Sequence, residues 1–139
     1  MLPQELRSLP YLVHTNRELG LMLKGAKPLA YFLYLDGDDQ PDCMVRYLRM
    51  FDRHAVSGRF LREAHSQPVS QLPGRTMHRV FYALPPQAWR IPAMLDLLER
   101  EGAWDEERER EFGSLLGYED WQNEVWLDRR RHDGVGLAS

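Results

Sequence analysis

The first part of the chain alternates short apolar segments with turns. Residues 15–18 read Thr-Asn-Arg-Glu, the capping-box form, so a helix is predicted to begin here and to end at Gly25. Residues 29–35 form a continuous apolar run after Pro28, which is typical of a strand covered on both faces. Residues 36–42 have the composition of a turn. We therefore expect residues 29–35 to form the central strand of a sheet.

The pattern over residues 43–58 fits two structures. Its large apolar residues recur at helical spacing; they are Met44, Tyr47, Leu48 and Phe51. Gly58 follows as a helix stop. The alternation of Val45, Tyr47 and Arg49 suits a twisted strand equally. A helix is favoured here, with a strand as the alternative.

Two further strands are predicted over residues 59–66 and 76–84. The segment between them contains Pro68, Pro73 and Gly74, which prevent a continuous ladder, so the two strands are expected to form a hairpin. A symmetric loop would place Glu63 next to Arg79 across the pair, as is favourable for opposite charges.

After residue 84 the pattern becomes helical. Three helices are predicted, with Pro92 in the first turn of the first, Asp105 as the cap of the second and Asp120 near the start of the third. The predicted fold is α+β: a small, mostly antiparallel sheet of about three strands, with an N-terminal helix and a C-terminal cluster of about three helices packed on it. We expect residues 1–128 to form a single domain and residues 129–139 a flexible tail.

Composition adds limits to this picture. A chain of 139 residues is near the usual size of one domain and can bury a core without staples. A lone cysteine, Cys43, forms no internal disulfide, and no apolar stretch approaches the roughly 20 residues that span a bilayer. No signal-peptide pattern begins the sequence. A soluble, cytoplasmic protein with no membrane association is therefore expected.

Charge is unevenly distributed along the chain. The net charge is −3, which makes nucleic acid an unlikely partner. Residues 43–90 nevertheless carry a charge of +6 and residues 101–128 a charge of −8. This segregation suits either the steering of a partner or an internal match between the two segments.

Two sets of residues are candidates for binding a partner protein. The acidic, tryptophan-rich set suits a basic partner and comprises Trp104, Glu106, Glu107 and Glu111. The basic set would form one stripe on a helix and comprises Arg46, Arg49 and Arg53. The alternatives are that the tryptophans belong to the core and that the stripe pairs with the acidic helices of this chain.

Chemical motifs are scarce. His54, His65 and His78 lie in the basic segment, but their spacing matches no metal pattern, so no metal site and no cofactor are expected. Asp36, Asp38 and Asp39 resemble a calcium loop but fail its register, and no serine lies in a nucleophile motif.

The favoured hypothesis is a non-enzymatic interaction module of the inhibitor, immunity or adaptor type, whose acidic C-terminal surface binds a basic partner. The alternative is a small enzyme that uses His54, His65 or His78 as a general base and arginines to hold an anionic substrate.

Overall fold

The computed structural model describes residues 6, 8–36 and 40–132, and within them the fold is α+β, as predicted. The helices are α1 (Glu18–Leu23), α2 (Asp42–Val56), α3 (Arg90–Glu99), α4 (Glu106–Leu115) and α5 (Asp120–His132). The strands are β1 (Leu29–Leu35), β2 (Leu61–Pro68) and β3 (Thr76–Ala83), and a short 3-10 turn spans Pro85–Gln87. No helix in the described ranges is long and apolar enough to cross a membrane. Asp38 and Asp39 of the aspartate loop lie outside the described residues.

The chain divides into two compact units. The sheet unit is Leu29–Ile91, and the helical unit combines Met1–Pro28 with Pro92–Ser139. The prediction that residues 1–128 form one domain stays a prediction.

In the sheet unit, the three strands are antiparallel in the order β1-β3-β2. The predicted bounds of β1 are confirmed, but its predicted central position is wrong, because β3 pairs with a strand on each side. Ala83 lies opposite both Leu29 and Leu61. Residues 80–83 of β3 are all buried, as expected of the central strand.

The predicted hairpin of β2 and β3 is confirmed, but its register differs by two residues from that of a symmetric loop. Glu63 lies opposite Phe81, and His65 lies opposite Arg79. The predicted Glu63–Arg79 pair is therefore wrong. Glu63 instead has a carboxylate oxygen 3.3 Å from Nε2 of His65.

The helix favoured over residues 43–58 is confirmed as α2, and it packs on one face of the sheet. Phe51 of α2 is fully buried and has ring centroids 5.3 Å from Phe32 of β1 and 4.7 Å from Tyr82 of β3. Aromatic contacts of this kind add to the stabilisation from apolar burial. The rings fix α2 against the two neighbouring strands.

The N-terminal helix begins differently from the predicted capping box. Helix α1 starts at Glu18, and its N-cap is Arg17, which makes no side-chain cap hydrogen bond. Asn16 has a φ of 66°, the left-handed region, so the backbone conformation at Asn16 interrupts the helix that would have followed Thr15. The predicted end is confirmed, since Gly25 has a φ of 76° and its N–H donates to the carbonyl of Met22.

In the helical unit, the predicted cap of α4 is confirmed, because the Asp105 carboxylate accepts from the backbone N–H of Arg108 at 2.9 Å. The buried guanidinium of Arg108 donates to the carbonyls of Leu97 at 2.7 Å and of Arg100 at 2.9 Å, at the C-terminal end of α3. Helix α5 continues to His132, so residues 129–132 are helical where the tail was predicted to begin. Residues 133–139 lie outside the described ranges.

Candidate functional site

A cavity of about 330 Å³ lies in the sheet unit beside α2 and β1. Most of its lining is apolar, and from β1 and α2 it includes Phe32, Tyr34, Met44, Val45 and Leu48. Two charged residues of α2, Arg49 and Asp52, complete the wall. Small cavities of this composition suit apolar side chains, with charges at the rim that set orientation.

The side chains of Arg46, Arg49 and Arg53 are exposed along α2, spaced three and four residues apart. Over residues 6, 8–36 and 40–132, no hydrogen bond or ion pair engages these three guanidinium groups. We call these three residues the arginine stripe. The sequence left open that these arginines pair with acidic side chains of the same chain. Among the described residues, no such ion pair is formed.

The second charged residue of the wall, Asp52, has partners within the sheet unit. Its Oδ1 accepts hydrogen bonds from Nε of Arg62 at 3.0 Å and from the hydroxyl of Tyr82 at 2.6 Å. Burial, together with the hydrogen bond to Asp52, raises the pKa of Tyr82 to about 12. Because Asp52 pairs with Arg62, Arg49 is the charged residue of the cavity wall that has no ion-pair partner among the described residues.

The three candidate histidines are not brought together. His54 lies on α2 with its ring 5.4 Å from Phe60. His65 and His78 extend from opposite faces of the sheet, because His65 pairs with Arg79 and the neighbouring residue of β2, Ser66, pairs with His78. A single site built from His54, His65 and His78 is therefore absent.

His78 has its own polar partners on the α2 face. Its Nε2 lies 2.7 Å from Oδ1 of Asp36, and its Nδ1 lies 2.7 Å from Oγ of Ser66. Its ring stacks on Tyr34 with centroids 4.8 Å apart. Sequence reasoning missed this group because Asp36 and Ser66 lie 30 residues apart along the chain, and only the strand register joins them.

The acidic candidates lie in the helical unit, where most have arginine partners. Glu106 forms ion pairs with Arg131 and, at 3.7 Å, with Arg110. Glu111 lies 3.1 Å from Arg100. The hydrogen bond from Arg131, together with the charges of Arg131 and Arg110, lowers the pKa of Glu106. Glu107 is exposed and has no hydrogen-bond or ion-pair partner among the described residues.

Trp104, the aromatic candidate of this surface, is half-buried. Its indole N–H donates to the carboxylate of Glu109, which also accepts from the indole of Trp126 at 3.0 Å. The guanidinium of Arg108 lies 4.9 Å from the Trp104 ring centroid. These contacts favour the structural alternative, in which the tryptophan belongs to the packing of its own unit.

A second cavity, of about 340 Å³, lies in the helical unit. Its two buried polar side chains are Glu109 and Asn123. Both carboxylate oxygens of Glu109 accept from tryptophans, and the amide of Asn123 donates to Oγ of Ser114 at 3.1 Å. These two buried polar side chains are thus already hydrogen-bonded within the unit.

The structure also reveals a buried lysine that sequence reasoning did not single out. Lys27 is 2% exposed, and its Nζ lies 2.9 Å from Nδ1 of His14 and donates to the carbonyl of Leu116 at 2.7 Å. Burial lowers the pKa of Lys27 to about 7. Burial and the nearby Lys27 lower the pKa of His14 to about 4. Lysine side chains are almost never fully buried, so nothing in the sequence around residue 27 predicted that Lys27 would be.

Within the described ranges, no group of three or more His, Cys, Asp or Glu side chains is placed to hold a metal ion. Comparison of the chain with family models, with curated proteins and with solved structures finds no match.

Proposed function

We propose that this protein is an interaction module that binds an acidic, amphipathic segment of another protein along α2. The arginine stripe, which has no partner among the described residues, is the observation that carries the proposal. The cavity beside it would take apolar side chains of the partner, and the stripe would pair with the partner's carboxylates.

The sequence analysis favoured a basic partner, whereas the proposed partner is acidic. Glu106 and Glu111 already pair with arginines of their own unit, which reduces the negative charge they offer to a basic protein. Arg49 on the cavity wall has no hydrogen-bond or ion-pair partner among the described residues. An acidic partner is therefore supported better than a basic one, and the basic partner stays a prediction that depends on Glu107.

A protein partner is favoured over a nucleic acid. The chain has a net charge of −3, and binding of a polyanion rests on a broad positive field. The cavity beside the stripe is lined mostly by apolar side chains, which suit another protein better than a phosphate backbone.

We also propose that the protein is located in the cytoplasm. The exposed thiol of Cys43 supports this location, because free thiols persist in a reducing compartment.

The test uses three fluorescent probes: a helical peptide with leucines at helical spacing and glutamates elsewhere, the same peptide with lysines replacing the glutamates, and a short DNA duplex. Fluorescence anisotropy measures binding to the full chain. The acidic peptide should bind, and the variant R46E/R49E/R53E should weaken that binding by at least about tenfold, or about 1.4 kcal/mol.

The matched control is R17E/K24E/R59E, which makes the same change in net charge at exposed positions without hydrogen-bond or ion-pair side-chain partners among the described residues. It should retain affinity for the acidic peptide. Equal weakening in both variants would reduce the effect to net charge and overturn the proposal. Failure of the acidic peptide to bind more tightly than about 1 mM, or preferential binding of the lysine peptide or the duplex, would overturn it as well.

A further inference from the structure

The pairing of β2 with β3 brings Ser66 and His78 into direct contact. The N–H of Val69 donates to the carbonyl of Arg75, so residues 69 and 75 form a hydrogen-bonded pair of the antiparallel ladder. Hydrogen-bonded and non-hydrogen-bonded pairs alternate along such a ladder. Ser66 and His78 are therefore a non-hydrogen-bonded pair, the type in which side chains come closest.

The polarity of the contacts defines the role of each group. An ionised carboxylate only accepts hydrogen bonds, so Nε2 of His78 carries a proton and donates to Asp36. In the tautomer that carries its proton on Nε2 alone, the Nδ1 atom has a lone pair and accepts from the hydroxyl of Ser66, 2.7 Å away. The arrangement is that of a nucleophilic serine and its general base, in which a carboxylate fixes which nitrogen of the histidine ring carries the proton. The two ring nitrogens have exchanged the roles they have in serine proteases.

The imidazole and the carboxylate are both held in place. Tyr34 stacks on the His78 ring. The backbone of Asp36 is fixed at both ends, because its N–H donates to the carbonyl of Thr76 at 2.9 Å and its carbonyl accepts from Nε of Arg75 at 2.6 Å. Preorganisation of this kind is what a base needs in order to act without a cost of rearrangement.

The backbone at Ser66 supplies a donor beside the hydroxyl. In a non-hydrogen-bonded pair the N–H points away from the partner strand, and β2 is an edge strand of the described sheet. The amide of Ser66 is thus directed to the open edge, next to its own Oγ. The N–H of the nucleophilic residue is a common donor to the oxyanion of acyl transfer.

We propose that Ser66 is a nucleophile that accepts the acyl group of small carboxylic esters. Oγ of Ser66 attacks the ester carbonyl carbon while its proton passes to Nδ1 of His78. The bond between that carbon and the alcohol oxygen breaks, and the alcohol leaves with the proton. Water then attacks the acyl-serine with the same base, which releases the carboxylic acid and restores the hydroxyl.

The location of the group limits the substrate. Ser66 is exposed, and the side chain of His78 is 20% exposed, so an ester reaches both without passing through a channel. None of the three residues lines the cavity beside α2, so binding energy from a large acyl chain has no place in this site. Short, activated esters are the expected class. The activity is independent of the proposed binding of an acidic segment.

The test mixes the full chain with p-nitrophenyl acetate and follows p-nitrophenol release, with peptide mass spectrometry to locate the acetyl group. Acetylation should map to Ser66, and Ser66→Ala should abolish it at that peptide. Ser57→Ala is the matched control, because the exposed hydroxyl of Ser57 donates only to the backbone carbonyl of His54. His78→Gln should lower the acylation rate by about 100-fold or more.

Asp36 acts as a positioning residue, and nitrogen NMR of the His78 ring tests that role. The wild-type ring should carry its proton on Nε2. In Asp36→Asn the amide donates to Nε2, so the proton should move to Nδ1 and the acylation rate should fall. Circular dichroism confirms that each variant is folded, and Ser66→Ala, which removes only one exposed hydroxyl, decides the matter if His78→Gln unfolds. Acetylation that is unchanged in Ser66→Ala, or that maps only to other residues, would overturn the proposal.

Discussion

The ammonium group of Lys27 lies 2.9 Å from Nδ1 of His14, with both side chains inside the helical unit. The ring of His14 also stacks on Tyr118, with centroids 3.9 Å apart. Burial lowers the pKa of Lys27 to about 7, and burial together with the charge of Lys27 lowers the pKa of His14 to about 4.

The lysine makes stability depend on pH in the alkaline range. Between pH 7 and about 10 the unfolded chain keeps the Lys27 proton and the folded chain releases it, so the free energy of unfolding should rise as pH rises. Glu18 opposes part of this shift, and the raised pKa of Tyr118 acts in the opposite sense only near pH 10 and above. Urea unfolding at several pH values measures the trend. Lys27→Met should flatten it, and a flat wild-type profile would contradict the prediction.

The arginine pairs of α4 predict different effects for two neighbouring glutamates. Glu106→Lys places a cation against Arg131 and Arg110 and should lower the melting temperature. Glu107→Lys changes the same charge at an exposed residue with no hydrogen-bond or ion-pair partner among those described, and it should leave the melting temperature nearly unchanged. Differential scanning fluorimetry compares the two variants, and equal decreases in melting temperature would mean that the ion pairs have no net effect on stability.

Glu107→Lys also tests the prediction of a basic partner, because loss of this exposed negative charge should slow the association of such a partner.

The aromatic contacts of α2 predict the cost of removing one ring. Phe51→Ala should lower the free energy of unfolding by about 3–5 kcal/mol, because it leaves a cavity between α2 and the sheet. The neighbouring Met50→Ala, at a side chain 42% exposed, should change it by less than about 0.5 kcal/mol. Denaturant titration measures both values. A loss below about 1 kcal/mol for Phe51→Ala would show that this face of α2 is not packed as described.

Alanine substitutions at two glycines distinguish the cost of backbone strain from the cost of steric overlap. Gly117 and Gly102 have similar φ values, 102° and 104°, which strain any other residue. A Cβ at Gly117 would lie 2.5 Å from Cδ of Pro28, whereas one at Gly102 meets nothing within 4 Å. Gly102→Ala should cost about 1–2 kcal/mol and Gly117→Ala about 1–3 kcal/mol more. Equal unfolding free energies for the two variants would disprove the close approach to Pro28.

Local signals predicted the elements well. The apolar run over residues 29–35 and the stop at Gly25 act over a few residues, and the structure confirms both. The capping box failed because Asn16 takes a left-handed conformation that moves the helix start to Glu18. Asp105 succeeded as a cap because its hydrogen bond to Arg108 lies within one turn.

The candidate sites depended on contacts over longer distances. Spacing predicted the exposed stripe of Arg46, Arg49 and Arg53, because helical periodicity alone places them on one side of α2. It did not predict that Glu106 pairs with Arg131, 25 residues away. The contact of His78 with Ser66 was equally hidden, since a register two residues different would put Ala64 opposite the histidine.

Amino-acid order alone determined the α+β class, the kinds of element and most of their ends, because those follow from periodicity, capping and turn residues within a short stretch of chain. The tertiary structure decided that β3 is the central strand, that Asp36, Ser66 and His78 meet, and that Lys27 is buried beside His14. Strand order, register and the burial of a charge are set by the packing of distant segments. No local pattern encodes that balance of burial and hydrogen bonding.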